Sequence, residues 1–398
     1  MWRSPVLAPV LAVGAAVIAL IHVVWIVEML PSRAFAPDFD HYYITSRLLW
    51  EGQNPYRTPA TAGTEKPVFL RPEVATSTPV SLWLWVPMAM LAQRPAFWLR
   101  VAIEAVSLVA VLWLTRHLLK GQLSERGWWF LCAGFVSSSP VLWHFAFSPE
   151  NLTLTAALLA AYAWHKAGKE DRACWLVLLA GLVKMYPLAF LPWFIWRSKR
   201  PMWKRLRTAA ALALGAGAIV LVTGPGLWAD FYEVAPPIIR WWAVGHTFNF
   251  TLSSFVINLA QALRSGTASV EPGRGLWMTG SSIGLAAVAA AYLFCVTTDG
   301  DEDLQFSLLC AATLTVYGCA YYFVQLIFPV GLAAARLAAS SSWRRLLVFS
   351  ALLIATNSEG PWDKSFWGGS PLLMILLNYL PLYGLIGFCF FLVRERNP

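Results

Sequence analysis

Two carboxylates spaced i, i+2 stand beside an apolar run in PDFDHYYITSRLLWEGQNPY, residues 37–56. Either Asp38 or Asp40 can accept hydrogen bonds from the first free N–H groups of a helix, an N-cap contributing about 1 kcal/mol. Only one acid is needed for that. The other would face the space beside the helix, where a carboxylate can act as a general base. Spacing alone leaves open which acid does which.

Cations able to bind a phosphate ester share the segment. Arg47, Arg57, Lys66 and Arg71 stand among Glu51, Glu65 and Glu73, and most of these charges read as solvated surface. Lys184, in AGLVKMYPLAF, is different, because no charged residue lies within ten positions of it. A bare ammonium in hydrocarbon is costly, so Lys184 predicts an anionic partner, either a protein carboxylate or a ligand phosphate. Pro187 beside it can open the backbone toward a cavity. Glu150 and Asn151, in HFAFSPENLTL, mark a Pro-broken junction between two short apolar runs. There Asn151 either caps the next helix or binds a hydroxyl, and capping is the favoured reading.

Two aromatic stretches complete the candidates. RWWAVGHTFNFTLSS gathers Arg240, Trp241, Trp242, His246 and Asn249, rings and polar tips suited to a sugar or headgroup, or to anchoring at a membrane interface. VYGCAYYFVQLIFP adds Tyr317, Tyr321, Tyr322 and Gln325, which could line a cavity or form an aromatic belt.

The elements that must position these residues are set by composition. The 398 residues are 58% hydrophobic and only 13% charged, against about 25% charged in soluble domains. Uncharged runs near the roughly 20 residues needed to cross hydrocarbon recur from end to end. An all-α integral membrane protein follows, a polytopic helical bundle. Runs of this length, without period-2 alternation, exclude an outer-membrane barrel. The net charge of +9 sits in short loops between apolar runs, which points to topology and contact with membrane lipids, not to nucleic acid. The six cysteines fall inside apolar runs without C-x-x-C spacing, so neither disulfides nor a metal site is expected. Nothing resembles a Gly-rich nucleotide loop, a zincin helix or a serine elbow, so no bound nucleotide or other cofactor is expected.

Taking Arg3 as cytoplasmic, a first span covers 6–29 and delivers an outer loop, 30–78. That apolar run reads as a retained span, not a cleaved signal. Spans over 79–93, 97–115, 127–147, 150–165 and 173–196 bring the basic loop 197–207 back inside, as the positive-inside rule requires. A seventh span, 208–223, closes a catalytic module over 6–223 and opens a second outer region, 224–275, holding an interfacial segment over 250–264. Further spans over 276–297, 304–318, 319–336, 345–356 and 370–393 give about twelve, with both termini inside and a single domain over 1–398. Loop 116–126, with Arg116, Lys120 and Arg126, falls outside on this map, and a re-entrant pair nearby would change the parity. In the first outer loop, Ile44, Leu48 and Trp50 predict a short helix over 41–51 lying on the membrane, stopped by Gly52 and Pro55.

The order of the pieces is D-x-x-x-Y-Y at Asp38, G-x-x-P-Y at Gly52, S-P-x-N at Ser148, AGLVKMYPL before a basic loop, and N-x-T at Asn249 after a Trp pair. This order, over about 8–340, resembles glycosyltransferase family 87, membrane-embedded C-type enzymes typified by bacterial mannosyltransferases. The resemblance implies a catalytic Asp in the first outer loop, a polyprenyl-phosphate sugar donor and a seven-span shared module. Carried over by position, it makes Asp38 the base, followed by Tyr42, and leaves Asp40 as the cap. Lys184 and Pro187 match the family's mid-membrane K-x-x-P, and Asn151 matches its Asn. Two departures stand out. Pro149 and Glu150 replace the usual Gly-Gln, and Tyr321, Tyr322 and Phe323 stand where the family places Trp and His. Tyr322 can donate a hydrogen bond but cannot carry a positive charge at neutral pH; His246 or Lys184 could compensate.

The resemblance thus implies inverting transfer of a hexose, mannose by family habit, to a lipid-linked acceptor at the outer face of a cell membrane. Lys184, Arg71 and Arg57 would hold the donor phosphate, and Tyr42, Asn151, His246, Asn249 and Tyr322 would contact substrate. The interfacial segments 41–51 and 250–264 favour a glycolipid acceptor over a protein. A transporter or flippase of lipid-linked sugars is the rival, but no second half matches the first as paired repeats would. A non-catalytic scaffold leaves Lys184 unexplained.

Overall fold

A computed structural model describes residues 24, 37–59, 74–147, 150–245, 251–265, 274–297, 300–317, 320–340, 342–357 and 371–394. The described elements are helical. The chain divides into two units, Met29–Leu114 with Phe145–Ile239, and Thr115–His144 with Arg240–Pro398 and Met1–Glu28.

In the first of these units, helix α1 runs Pro37–Trp50 with Asp38 and Asp40 in its first turn and Arg47 in its last. Proline at the first position and charges matched to the helix dipole favour this start and finish. The chain then turns at Gly52, whose φ of 76° suits glycine. The helix expected over 41–51 is therefore longer, and one of its faces is buried. Phe39, Tyr42, Tyr43 and Leu48 are buried together with Thr45 and Ser46. The Phe39 ring packs edge-on against Phe97 at 5.2 Å and lies 5.8 Å from that of Trp85. These aromatic contacts fix that face of the helix.

Helix α2, Pro79–Ala89, starts in the manner its Thr-Pro dipeptide predicts, with the Thr78 hydroxyl accepting from Ser81 N at 3.2 Å. Helix α3 covers Gln93–Leu118. Further along the chain come α4 (Glu125–Val136) and α5 (Ser139–Phe147), most of which belong to the other unit. Helices α6 (Asn151–Lys166) and α7 (Glu170–Val183) form an antiparallel hairpin. It turns on Gly168, at φ 73°, with Lys169 N donating to Trp164 O at 2.8 Å and Gly168 N to His165 O at 2.9 Å. These are the two bonds of a Schellman ending.

The expected span over 173–196 is broken. Helix α7 stops at Lys184, whose backbone is extended at φ −143° and ψ 121°. A 3₁₀ turn, Tyr186–Phe190, and a short α8, Leu191–Arg197, complete the segment. Pro187 has no N–H to give the carbonyl of Val183, four residues back. The Thr78 hydroxyl supplies it instead, reaching Val183 O at 2.9 Å and Leu182 O at 2.6 Å. The turn then folds back so closely that a Cβ at Gly181 would clash with the Leu188 side chain. Helices α9 (Met202–Thr223) and α10 (Pro225–Gly245) follow.

The other unit contains α11 (Leu252–Ser265), α12 (Arg274–Thr297), α13 (Glu302–Tyr317), a 3₁₀ helix (Ala320–Leu326), α14 (Ile327–Ser340), α15 (Trp343–Asn357), α16 (Pro371–Asn378) and α17 (Leu380–Arg394). Its core gathers Leu304, Leu308, Ala333, Phe349 and Phe388. Arg336 pairs with Asp301 at 2.6 Å.

Among the described residues, three unbroken helices are long and apolar enough to cross a membrane: Gln93–Leu118, Met202–Thr223 and Gly275–Thr297. The pair α4 and α5 passes the same test together but bends by 46°, the form of a broken or re-entrant span. Each expected segment from 79 onward has its helix. Most are shorter than a full span or interrupted, so hydropathy located the apolar stretches but overstated their continuity. The expected span over 6–29 lies outside the described residues.

Candidate functional site

At the break that ends α7, Lys184 meets a partner. Lys184 Nζ donates to Asn151 Oδ1 at 3.2 Å. Asn151 is the first residue of α6 and is buried. The capping expected of Asn151 is thus replaced: Glu150 occupies the cap position and makes no side-chain cap bond, while Asn151 lies inside the helix and serves Lys184. A lysine in apolar surroundings gains more from this amide oxygen than the helix gains from a cap. Sequence reasoning asked for an anion here; the bond shown is with a neutral amide.

Glu150 is the residue that sequence reasoning undervalued. Its side chain is 5% exposed, and Oε1 accepts from Ser81 Oγ at 3.0 Å and from the Trp85 indole N–H. The Tyr42 ring stacks on Trp85, centroids 4.9 Å apart and 11° from parallel, and the Arg100 guanidinium stands 5.0 Å from the Trp85 ring centre. Arg100 is paired with Glu104 at 2.5 Å, and Thr153 also donates to Glu104 at 2.7 Å. The polar groups therefore connect: Thr78 holds the α7 break, Ser81 links Thr78 to Glu150, and Asn151 links back to Lys184. The detectable signal in the sequence was an acid at a Pro-marked junction, but nothing local named its partners.

Asp38 lies one helical turn before Tyr42 and on the same face of α1, since residues i and i+4 align. It is half-buried. Asp40 lies a turn inside the helix, past the cap position assigned to it, and its Oδ1 accepts from Gln93 Nε2 at 2.8 Å. It ties α1 to the start of α3. Neighbouring His41 is buried, with Nε2 3.4 Å from Thr76 N.

Arg57 is held elsewhere. Its Nη2 pairs with Asp230 at 2.6 Å and also with Glu233, and Asn54 Nδ2 donates to Asp230 at 2.6 Å. Hydrogen bonds from Asn54 and then Arg57 hold the Asp230 carboxyl below its ordinary value. The Arg57 guanidinium is raised in turn by Glu233 and Asp230. A donor phosphate would have to displace two carboxylates to use Arg57.

Tyr322 belongs to the other unit, where it is half-buried against Leu314, Phe323 and Leu385. Nearby Gln325 donates to Cys310 O at 2.8 Å and Thr313 Oγ1 at 3.1 Å, a structural use. Arg71, His246 and Asn249 lie outside the described residues, as do the side chains of Arg240, Trp241, Trp242 and Tyr321. One unit thus carries Asp38, Tyr42, Asn151 and Lys184.

Glycosyltransferase family 87 matches residues 76–319, well over half of the chain. The matched stretch includes Glu150, Asn151 and Lys184 and begins after Asp38. No curated protein and no solved structure matches.

Proposed function

Because the chain belongs to glycosyltransferase family 87, a family of membrane glycosyltransferases, we propose that it moves a mannosyl residue from a polyprenyl-phosphate donor to a hydroxyl of a lipid-linked glycan or glycolipid. The Asp38 carboxylate takes the proton of the acceptor hydroxyl. The freed oxygen attacks the anomeric carbon from the face opposite the phosphate, the carbon–oxygen bond to phosphate breaks, and polyprenyl phosphate leaves with inversion. Lys184 stabilises the charge that develops on the leaving phosphate, with Arg71 as a second cation. Tyr42 and Asn151 contact substrate in the same unit, and His246, Asn249 and Tyr322 are further candidates for substrate contact. The chain crosses a cell membrane about twelve times and works at the outer face, without a nucleotide or metal.

The observation that carries this reading is the Lys184–Asn151 bond at the broken end of an apolar helix, inside the stretch that matches the family. A cation kept at a break within an apolar segment suits an anionic lipid-borne ligand. The choice of Asp38 over Asp40 draws support from the Asp40–Gln93 bond, which gives Asp40 a structural task. The test is transfer by purified protein in detergent from labelled polyprenyl-phosphate mannose and, separately, from a nucleotide-activated mannose. Transfer from the lipid donor alone is expected; transfer from the nucleotide donor alone overturns the proposal.

A further inference from the structure

Two buried polar atoms next to one another in sequence remain unspent. Glu150 Oε2 and Asn151 Nδ2 have no hydrogen-bond partner among the described residues, although the two side chains are 5% and 1% exposed. Their other atoms are engaged and fix their orientation: Ser81 and Trp85 hold Glu150 Oε1, and Lys184 holds Asn151 Oδ1. One turn along α6, on the Asn151 face, Thr155 Oγ1 is also unpartnered and 2% exposed. Buried polar groups in proteins normally find partners, so three such atoms on one helix end require an explanation.

Resting on the glycosyl-transfer reading above, we propose that Glu150 and Asn151 form a hydroxyl-binding subsite for a sugar. The chemistry of the pair selects the ligand. A carboxylate oxygen can only accept and an amide NH₂ can only donate, whereas a hydroxyl does both. One sugar hydroxyl, or two on adjacent ring carbons, donates to Glu150 Oε2 and accepts from Asn151 Nδ2, with the Thr155 hydroxyl able to extend the chain of bonds. A phosphate does not fit this position, because Glu150 would repel it. A cation does not fit either, because Asn151 points a donor and holds the Lys184 ammonium. The subsite therefore reads hydroxyls while Lys184 faces charge, a division of labour between neighbouring residues. The hydroxyl belongs either to the transferred sugar or to a sugar of the acceptor.

Two near-isosteric variants invert the hydrogen-bonding character of the unspent atoms. Glu150→Gln keeps an acceptor for Ser81 and Trp85 and turns the vacant position into a donor; Asn151→Asp keeps an acceptor for Lys184 and turns the vacant donor into an acceptor. With polyprenyl-phosphate mannose and octyl α-mannoside as substrates, each variant is expected to lose about tenfold to a hundredfold in kcat/KM while keeping the melting temperature. A rise in KM for the lipid donor assigns the hydroxyl to the transferred sugar, and a rise for octyl α-mannoside assigns it to the acceptor. Unchanged kinetics in both variants overturn the proposal, most plainly if either variant is also more stable. If the wild type transfers nothing from the lipid donor, the parent reading fails and binding decides: saturation-transfer NMR with methyl α-mannoside and methyl α-glucoside should give a signal that both variants lose. No signal from the wild type, or an equal signal from all three proteins, overturns the subsite.

Discussion

The two ends of the α6–α7 hairpin carry the same residue type in opposite conditions. At the turn, Glu170 uses both carboxylate oxygens: Oε1 accepts from Lys199 N at 2.9 Å, and Oε2 accepts from Ser198 and from Arg200 at 2.9 Å. Asp171 beside it takes Arg200 at 2.5 Å and Thr208 at 2.9 Å. At the open end, Glu150 is as deeply buried as Glu170, yet one of its oxygens has no partner among the described residues. Burial alone therefore does not separate structure from function. A saturated acid fastens the basic loop to the hairpin, and the acid at the open end keeps one oxygen unspent among the described residues.

The comparison yields an ordered set of expectations. Largest is Asp38→Asn, expected to lower the rate of transfer by about 100 to 10,000-fold, the range of a general base. Lys184→Gln follows, with a loss of about a hundredfold in transfer read as a fall in kcat together with weaker donor binding; full activity would remove Lys184 from the site. Glu170→Ala tests the saturated end: it should cost about 2–4 kcal/mol of stability while turnover per folded molecule stays unchanged. If it lowers turnover instead, the division between the two ends fails.

Thr78→Val is smaller, at about 1–2 kcal/mol, because it strips both the α2 cap and the hydroxyl that satisfies the Leu182 and Val183 carbonyls. It should also reduce transfer modestly by loosening the break that carries Lys184. The smallest effect concerns pH. Arg200 and Thr208 hold the Asp171 carboxyl below its ordinary value, so its contribution is full above the unfolded value near 3.9 and fades as pH falls through the lowered folded one. Asp171 is 47% exposed, so the gain is screened to less than about 1 kcal/mol. Melting curves of wild type and Asp171→Asn should converge on acidification and in high salt.

Much of this was legible one segment at a time. Apolar runs marked where helices lie, Thr78 before Pro79 announced the start of α2, and Lys184 stood out as a charge in an apolar run. What was hidden is long-range. The amide of Asn151 is claimed by a lysine 33 residues away, which overrode a local capping preference. Arg57 is claimed by carboxylates 173 and 176 residues away, and Asp40 by Gln93, 53 residues away. Hydropathy could not reveal that the segment through Lys184 breaks, because the break depends on Pro187 together with a hydroxyl from another helix. The two acids of the opening segment looked equivalent by spacing for the same reason, because the Gln93 that bonds Asp40 is supplied by another helix.

Transfer and donor binding measured together in wild type, Asp38→Asn and Asp40→Asn test the central claim most directly. With polyprenyl-phosphate mannose as donor, Asp38→Asn should bind the donor as tightly as wild type and melt at the same temperature, yet transfer almost nothing. Asp40→Asn should keep transfer and lose stability. Wild-type transfer by Asp38→Asn, or loss of transfer by Asp40→Asn alone, would contradict the account.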